Sequence, residues 1–131
     1  MLDLAYDRMP SNDELLSATK MVVKLFYHWN LTEKEQQALL NNVSRSQLQK
    51  FKRGNAHITT RDSIERLGNL LGIHKSLRIL FSDKSNRDLV YKWIKARNVR
   101  LQGLSPLQVM LDKGYRGIEQ VRLLTDFLRG Q

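Results

Sequence analysis

Apolar residues recur every three or four positions along most of the chain, the spacing that places side chains on one face of an α-helix. A clear run covers residues 12–29. Its expected apolar face comprises Leu15, Leu16, Thr19, Val22, Val23 and Phe26. Nowhere do strand-forming residues alternate with polar ones over a sustained stretch. The pattern therefore predicts an all-α fold.

Further helix starts are marked by a hydroxyl residue followed three positions later by an acid or amide, because both side chains can bond free N–H groups of the first turn. These starts are Thr32 with Glu35, Ser44 with Gln47, Ser85 with Asp88, and Ser105 with Pro106 and Gln108. A helix is also expected from near Thr59 or Thr60, a short helical piece near Leu77, Leu80 and Phe81, and a last helix from about Ile118.

Helix ends are expected at Gly and Asn, which tolerate a left-handed backbone. The ends are Asn41 with Asn42, Gly54 with Asn55, Gly72 before the apolar Ile73, Gly114, and Gly130. Polar residues at positions 57–61 mark a weak boundary. We therefore divide the chain into a first domain of residues 1–60 and a second helical domain of residues 61–131.

Residues 31–54 have the pattern of a helix-turn-helix, with the small Ala38 where two helices approach and the apolar Val43 in the turn. Capping at Ser44 would expose the first turn of the second helix. The residues expected in a DNA major groove are Arg45, Ser46 and Gln49, since Arg can bind guanine and Gln adenine. The residues expected at phosphates are Lys50, Lys52 and Arg53.

Leu40 precedes two asparagines rather than one turn residue, which leaves the rotation of this helix open. A plain helical bundle with a solvated basic face is the alternative.

Charge strengthens the nucleic-acid interpretation. The net charge is +9, and residues 44–61 contain five basic and no acidic residues, although most of the excess lies in residues 63–131. Such a field favours a polyanion or an acidic protein. Cysteine is absent, which excludes disulfides and thiolate metal sites. No signal peptide or membrane span is apparent. We expect a cytoplasmic protein with no membrane partner.

Catalytic chemistry has no candidate residues in the sequence. The three histidines, His28, His57 and His74, are far apart and are interpreted as isolated surface residues. Glycines lie at expected helix ends rather than in phosphate-binding loops. The sequence therefore predicts a non-enzyme with no cofactor, no metal and no small-molecule substrate.

A second pattern runs through the last third of the chain. Its residues, in order, are Trp93, Asn98, Leu101, Gly103, Ser105, Pro106, Leu107, Leu111, Gly114, Val121, Leu124 and Gly130. The segment from about residue 76 to 131 resembles the toxin-binding domain of the MbcA/ParS/Xre antitoxin family. The preceding helix-turn-helix resembles the Xre-like domain normally attached to it.

This resemblance implies an antitoxin of a type II toxin–antitoxin system. Its partner would be a toxin with the RES fold, a class that degrades NAD. The first domain would bind operator DNA and repress the antitoxin's own operon, while the second would cover the entrance of the toxin's active site. The residues expected at the toxin are Arg97, Asn98, Arg100, Arg129, Gly130 and Gln131. Core packing is instead expected for Trp93, Leu101, Leu107 and Val121.

We also expect a homodimer or higher oligomer, because one short recognition helix confers little specificity and two-fold operators match two-fold proteins. Two other functions remain open on the sequence. One is a stand-alone helix-turn-helix regulator whose second half senses a ligand or protein. The other is a helical adaptor whose basic residues bind acidic protein. The role of the basic positions Lys84, Arg87, Lys92, Lys95, Arg97 and Arg100 is likewise open.

Overall fold

The structure, a computed structural model, describes residues 9–130. In this range the chain forms seven α-helices, three short 3₁₀ turns and no strand, which confirms the all-α prediction. The helices are α1 (Asn12–His28), α2 (Glu33–Leu39), α3 (Arg45–Arg53), α4 (Arg61–Leu80), α5 (Leu89–Lys92), α6 (Pro106–Lys113) and α7 (Tyr115–Arg129). Within the same range, no helix has the length and apolar character needed to cross a membrane.

Two compact units make up the chain, Met1–Gly68 and Asn69–Gln131. The division lies later than the boundary expected after residue 60. The intervening loop belongs to the first unit, since Ile58 is buried and its N–H donates to Thr19 Oγ1 over 3.1 Å. The first turns of α4 also belong to it and bury Ile64 and Leu67.

The core of the first unit lies between α1, α3 and the start of α4. Helix α1 buries the apolar face that its spacing predicts, except that Leu16 and Val23 are half-buried while Ala18 and Leu25 are buried. Its one polar member, Thr19, donates to the Leu15 carbonyl over 2.7 Å. The buried hydroxyl thus has one partner as a donor and another as an acceptor, so its burial does not destabilise the core.

Helix α4 does not end at Gly72, where an end was expected, but continues to Leu80. The expected start near Thr59 or Thr60 is close to the observed one at Arg61. Gly72 is buried, and a Cβ atom there would overlap the Arg122 guanidinium. This glycine therefore permits a close approach within the second unit rather than a helix end. The separate helical piece expected near Leu77 is the last part of α4.

Two other helix starts differ from the prediction. Asp83, not Ser85, caps the 3₁₀ turn Lys84–Asn86, and α5 begins only at Leu89. Helix α7 begins at Tyr115, earlier than expected, because Gly114 reverses the chain with φ of 60°. Gly114 is thus the single residue between α6 and α7, and a longer connection would leave fewer residues for the two helices.

At Thr32, Ser44 and Ser105 the predicted hydroxyl caps the helix start, but of these three only Thr32 has the reciprocal bond from the third helical residue. Thr32 and Glu35 form the complete reciprocal pair. Ser44 and Ser105 each accept a bond from the backbone N–H three residues later. The amide of Gln108, however, donates to Asp112 Oδ1 over 2.7 Å instead of returning to the cap. A single side-chain acceptor is sufficient to fix each of these two starts.

We predict that Gly117→Ala destabilises the second unit. A Cβ atom at this position in α7 would overlap the Val109 carbonyl of α6, a backbone atom that cannot move aside. Overpacking should exceed the gain in helix propensity and lower the free energy of unfolding by about 1–2 kcal/mol in urea denaturation. Gly130→Ala, where the new atom has only ordinary contacts, is the control. Equal stability of the two variants would contradict this packing account.

Candidate nucleic-acid and toxin interfaces

The turn between α2 and α3 is built on two consecutive left-handed asparagines. Asn41 and Asn42 have φ of 64° and 61°. The Asn42 N–H donates to the Gln37 carbonyl over 2.8 Å, and the Asn41 N–H donates to the Ala38 carbonyl over 3.1 Å. These are the two bonds of a Schellman helix end. The extra asparagine therefore follows a regular helix end and fixes the direction in which α3 leaves.

Side chains from outside the turn complete its hydrogen bonding. Gln37 Nε2 donates to the Val43 carbonyl over 2.9 Å. From α4, the buried Arg66 donates to the Ala38 carbonyl over 3.3 Å, and Ser63 Oγ donates to the Leu40 carbonyl over 3.4 Å. Carbonyls at the end of a helix have no partner inside it. Helix α4 supplies those partners and so ties α2 to the rest of the first unit.

Helix α3 buries Leu48 and Phe51 and presents the predicted DNA-contacting residues on its other faces. Among these, Gln49 is half-buried, and the exposed residues are Arg45, Ser46, Lys50, Lys52 and Arg53. Positions four and seven after Arg45 lie on the same side of a helix as Arg45 itself. The structure thus places Arg45, Gln49 and Lys52 along one stripe.

An acidic residue of α2 contacts this stripe. Glu33 Oε1 lies 2.9 Å from Arg45 Nε, and Glu33 Oε2 accepts a bond from Gln49 Nε2 over 3.3 Å. The Arg45 side chain is nevertheless 79% exposed. Glu33 is not apparent as a site residue in the sequence, where it is one of two acids in a first helical turn, a common position for acids.

A basic groove lies where the end of α3 meets α1. It has a volume of about 410 Å³ and an apolar floor that includes Phe51. Its basic lining residues are Lys20, Lys24, Lys52 and Arg53. Sequence reasoning missed the two α1 lysines, although their spacing of four residues places both on one helix face. The structure therefore places two lysines of α1 beside Lys52 and Arg53, the predicted phosphate-contacting residues at the end of α3.

Two of the predicted toxin-contacting residues, Asn98 and Arg100, lie in a closed loop of the second unit, residues 98–104. Asn98 organises it: its N–H donates to the Leu104 carbonyl, its carbonyl accepts from Gly103, and its side chain accepts from the Arg100 N–H. Gln102 and Gly103 have positive φ. Asn98 thus holds a small ring of chain and exposes the neighbouring Val99, whose side chain is 90% exposed.

This loop contacts α7. Arg100 Cζ lies 5.5 Å from the centroid of the Phe127 ring, within the range of a cation–π interaction. Phe127 is exposed, as is Leu123 one helical turn before it. We call Val99, Arg100, Leu123 and Phe127 together the apolar surface. Its three apolar residues are exposed, and Leu123 and Phe127 lie on one face of α7, so this helix presents neighbouring apolar side chains to solvent.

The other predicted toxin-contacting residues differ in their surroundings. Arg97, Arg129 and Gly130 are exposed, and Gln131 lies outside the described residues. Sequence reasoning missed Val99, Leu123 and Phe127, because an apolar residue in a helical pattern is ordinarily assigned to the core. The basic positions left open by the sequence, Lys84, Arg87, Lys92, Lys95, Arg97 and Arg100, are all exposed.

The core residues of the second unit follow the prediction, and the histidines do so only in part. Leu101, Leu107 and Val121 are buried, and Trp93 is half-buried. His28 is exposed, with its ring centroid 5.5 Å from that of Tyr27, and the other two histidines are likewise not isolated surface residues. His74 stacks on Tyr91 with ring centroids 5.6 Å apart, and His57 Nδ1 lies 3.0 Å from the Ile58 carbonyl. Both rings are half-buried and serve as packing groups.

Comparison with known families agrees with this geometry. A family profile described as the antitoxin Xre-like helix-turn-helix domain matches residues 17–72, which include most of α1, all of α2 and α3, and the first part of α4. The chain belongs to the Xre-like antitoxin family. Its helix-turn-helix is a DNA-binding domain, and α3 is the second helix of that motif.

The similarity of the antitoxin to one relative extends beyond this domain. The protein y4oB of Sinorhizobium fredii (strain NBRC 101917 / NGR234), which is named as uncharacterized, is 35% identical over 102 residues, covering 78% of the antitoxin and 76% of y4oB. The shared length exceeds the helix-turn-helix, so part of the second unit is common to both proteins. No solved structure matches the antitoxin.

We predict that Asn42→Val destabilises the first unit of the antitoxin. A β-branched side chain at a left-handed position is sterically strained, so the free energy of unfolding should fall by about 1–2 kcal/mol in urea denaturation. Asn42→Gly, which adopts the same backbone without strain, is the control and should change stability by less than about 0.5 kcal/mol. If valine were tolerated as well as glycine, the turn would not require this backbone.

Proposed function

We propose that this protein is the antitoxin of a type II system whose toxin has the RES fold and degrades NAD. The second unit binds the toxin and covers the entrance of its active site. The first unit binds operator DNA and represses the antitoxin's own operon. Both activities depend on binding alone, without a reaction at the antitoxin itself.

The observation that carries the toxin half of the proposal is the apolar surface. Three apolar side chains face solvent beside Arg100, and two of them lie on α7 close to its end at Arg129. The loop that presents Val99 is fixed by the bonds of Asn98, so little conformational entropy is lost when a partner binds. Apolar side chains that become buried when a partner binds, with an Arg nearby, are typical of the centre of protein interfaces.

The resemblance of the second unit to the MbcA/ParS/Xre domain supports the choice of toxin class. In this proposal Arg97, Arg100 and Arg129 surround the apolar anchors and meet acidic groups of the toxin. Asn98 acts indirectly, since its backbone groups and its side-chain oxygen are used within the loop. The last residues, Arg129 to Gln131, approach the toxin's active site.

The DNA half is supported by α3. Its stripe of Arg45, Gln49 and Lys52 projects from a helix with a firmly capped start, and Lys20 and Lys24 add positive charge near its end. In this proposal Arg45 and Gln49 contact base edges together with Ser46. The lysines and Arg53 contact phosphates, which determine affinity and its salt dependence. A homodimer places two such helices on a two-fold operator.

We predict different effects for the two classes of DNA-contacting residue. Arg45→Ala should lower discrimination between the operator and a singly mutated operator by about 5–150-fold. Lys52→Ala should weaken binding to all sequences and lower the salt slope by about one. Fluorescence anisotropy over a salt series, with operators selected from random DNA, measures both. Lys75→Ala, an exposed lysine of the second unit, is the control. Identical salt slopes and base preferences in all variants would refute DNA recognition by α3.

We predict that Phe127→Glu and Val99→Glu prevent toxin neutralisation. Each places a charge on the proposed apolar anchors, so affinity for the toxin should fall by about 30-fold or more. The measurement is growth rescue and copurification when the antitoxin is coexpressed with the product of the adjacent toxin gene. Deletion of residues 129–131 should abolish rescue while leaving DNA binding unchanged.

The matched control is Tyr27→Glu, which makes a similar change at a residue that is 79% exposed in the first unit. It should rescue growth as well as the unchanged protein does. Full rescue by Phe127→Glu would exclude the apolar surface as the toxin-binding site. Absence of any complex with the unchanged chain would instead favour a stand-alone regulator.

A further inference from the structure

We infer that Glu33 is a specificity-determining residue, which positions Arg45 and Gln49 for base recognition and lowers the affinity of α3 for non-cognate DNA. The inference rests on the proposed function, because it assumes that α3 contacts bases. Glu33 is an acidic residue at a surface that must approach a polyanion. Such a placement needs an explanation, since a carboxylate there repels phosphates.

The contacts of Glu33 are divided between its two oxygens. Oε1 lies 2.9 Å from Arg45 Nε, and Oε2 accepts from Gln49 Nε2 over 3.3 Å. Glu33 is the first residue of α2, and Thr32 before it is fixed by its reciprocal cap with Glu35. The backbone that carries the carboxylate is therefore well anchored. One side chain of α2 thus holds two side chains of α3.

The atoms used in these contacts are not the ones that bind bases. Guanidinium has five N–H donors, and the ion pair with Glu33 is closest at Nε, so the terminal nitrogens of Arg45 can still bind guanine. The amide nitrogen of Gln49 has two hydrogens, of which one bonds to Glu33. The second hydrogen and the amide oxygen remain available for adenine. Positioning and base recognition are therefore compatible.

Two consequences follow from this arrangement. Holding Arg45 and Gln49 before DNA binds reduces the rotamer entropy that they lose in the complex, which favours the sequence that fits them. The negative charge of Glu33 weakens attraction to every phosphate backbone, whatever the sequence. Specificity rises while general affinity falls. A residue that served only folding would raise or lower both quantities together.

The test compares Glu33→Gln and Glu33→Ala with the unchanged protein and with Asp13→Asn. Asp13 lies in the first turn of α1, so this control removes one negative charge from the same unit but from a different element. Affinities are measured for the selected operator, its single-base variants and a random duplex. We expect Glu33→Gln to reduce discrimination at the bases contacted by Arg45 and Gln49 by about 5–10-fold. Affinity for random DNA should rise by about twofold or more at low salt.

A second measurement needs no DNA. In the free protein, the Arg45 Nε–H resonance in ¹H–¹⁵N spectra should shift and exchange faster with water in both Glu33 variants, but not in Asp13→Asn. In the Arg45→Ala background, Glu33→Gln should have little further effect on preference at the base contacted by Arg45, because these two residues act as a pair, while its effect at the base contacted by Gln49 should remain. Unfolding in urea checks that the variants remain folded.

Several results would overturn the inference. Base preferences of Glu33→Gln within about twofold of the unchanged protein would exclude a role in specificity. An equal loss of affinity for operator and random DNA would assign Glu33 to folding alone. An unaltered Arg45 resonance would refute the positioning contact itself. If the unchanged protein discriminates no sequence, the proposed DNA recognition fails first, and this is visible without any Glu33 variant.

Discussion

The position of α3 depends on how the carbonyl groups at the end of α2 find hydrogen-bond partners. Inside a helix each carbonyl is bonded to the next turn, but the last ones need other donors. Here backbone N–H groups of two left-handed asparagines, together with Arg66 and Ser63 of α4, supply them. A different exit from α2 would break these hydrogen bonds and would turn α3 away from its present direction.

Much of the fold could be predicted from local patterns, because helix starts and apolar faces are properties of neighbouring residues. The caps at Thr32, Ser44 and Ser105 are where the sequence places them. The helix end predicted at Gly72 was wrong because of a contact between residues distant in the sequence. Glycine ends a helix when its backbone is left-handed, but within a helix it can also make room for a neighbour. Here that neighbour is Arg122, fifty positions later in the sequence, and a single sequence does not indicate it.

The site residues show the same limit. Residues of α3 were identifiable because a basic, capped helix following a turn is a local pattern, and the structure exposes Arg45, Ser46, Lys50, Lys52 and Arg53. Contributions from other helices were missed. Lys20 and Lys24 reach the end of α3 through the packing of α1, and Glu33 reaches its start through the turn. Those relations exist only after the helices have packed.

In the loop of residues 98–104 of the second unit, the residues that fix the loop's conformation are different from the exposed residue at its surface. Its form depends on Asn98 and on the positive φ of Gln102 and Gly103, whereas Val99 contributes no side-chain contact to the loop's own bonding. Position 99 can accordingly change during evolution without refolding the loop. Under the proposed function, a substitution at this position would alter the surface offered to the toxin while the loop kept its shape.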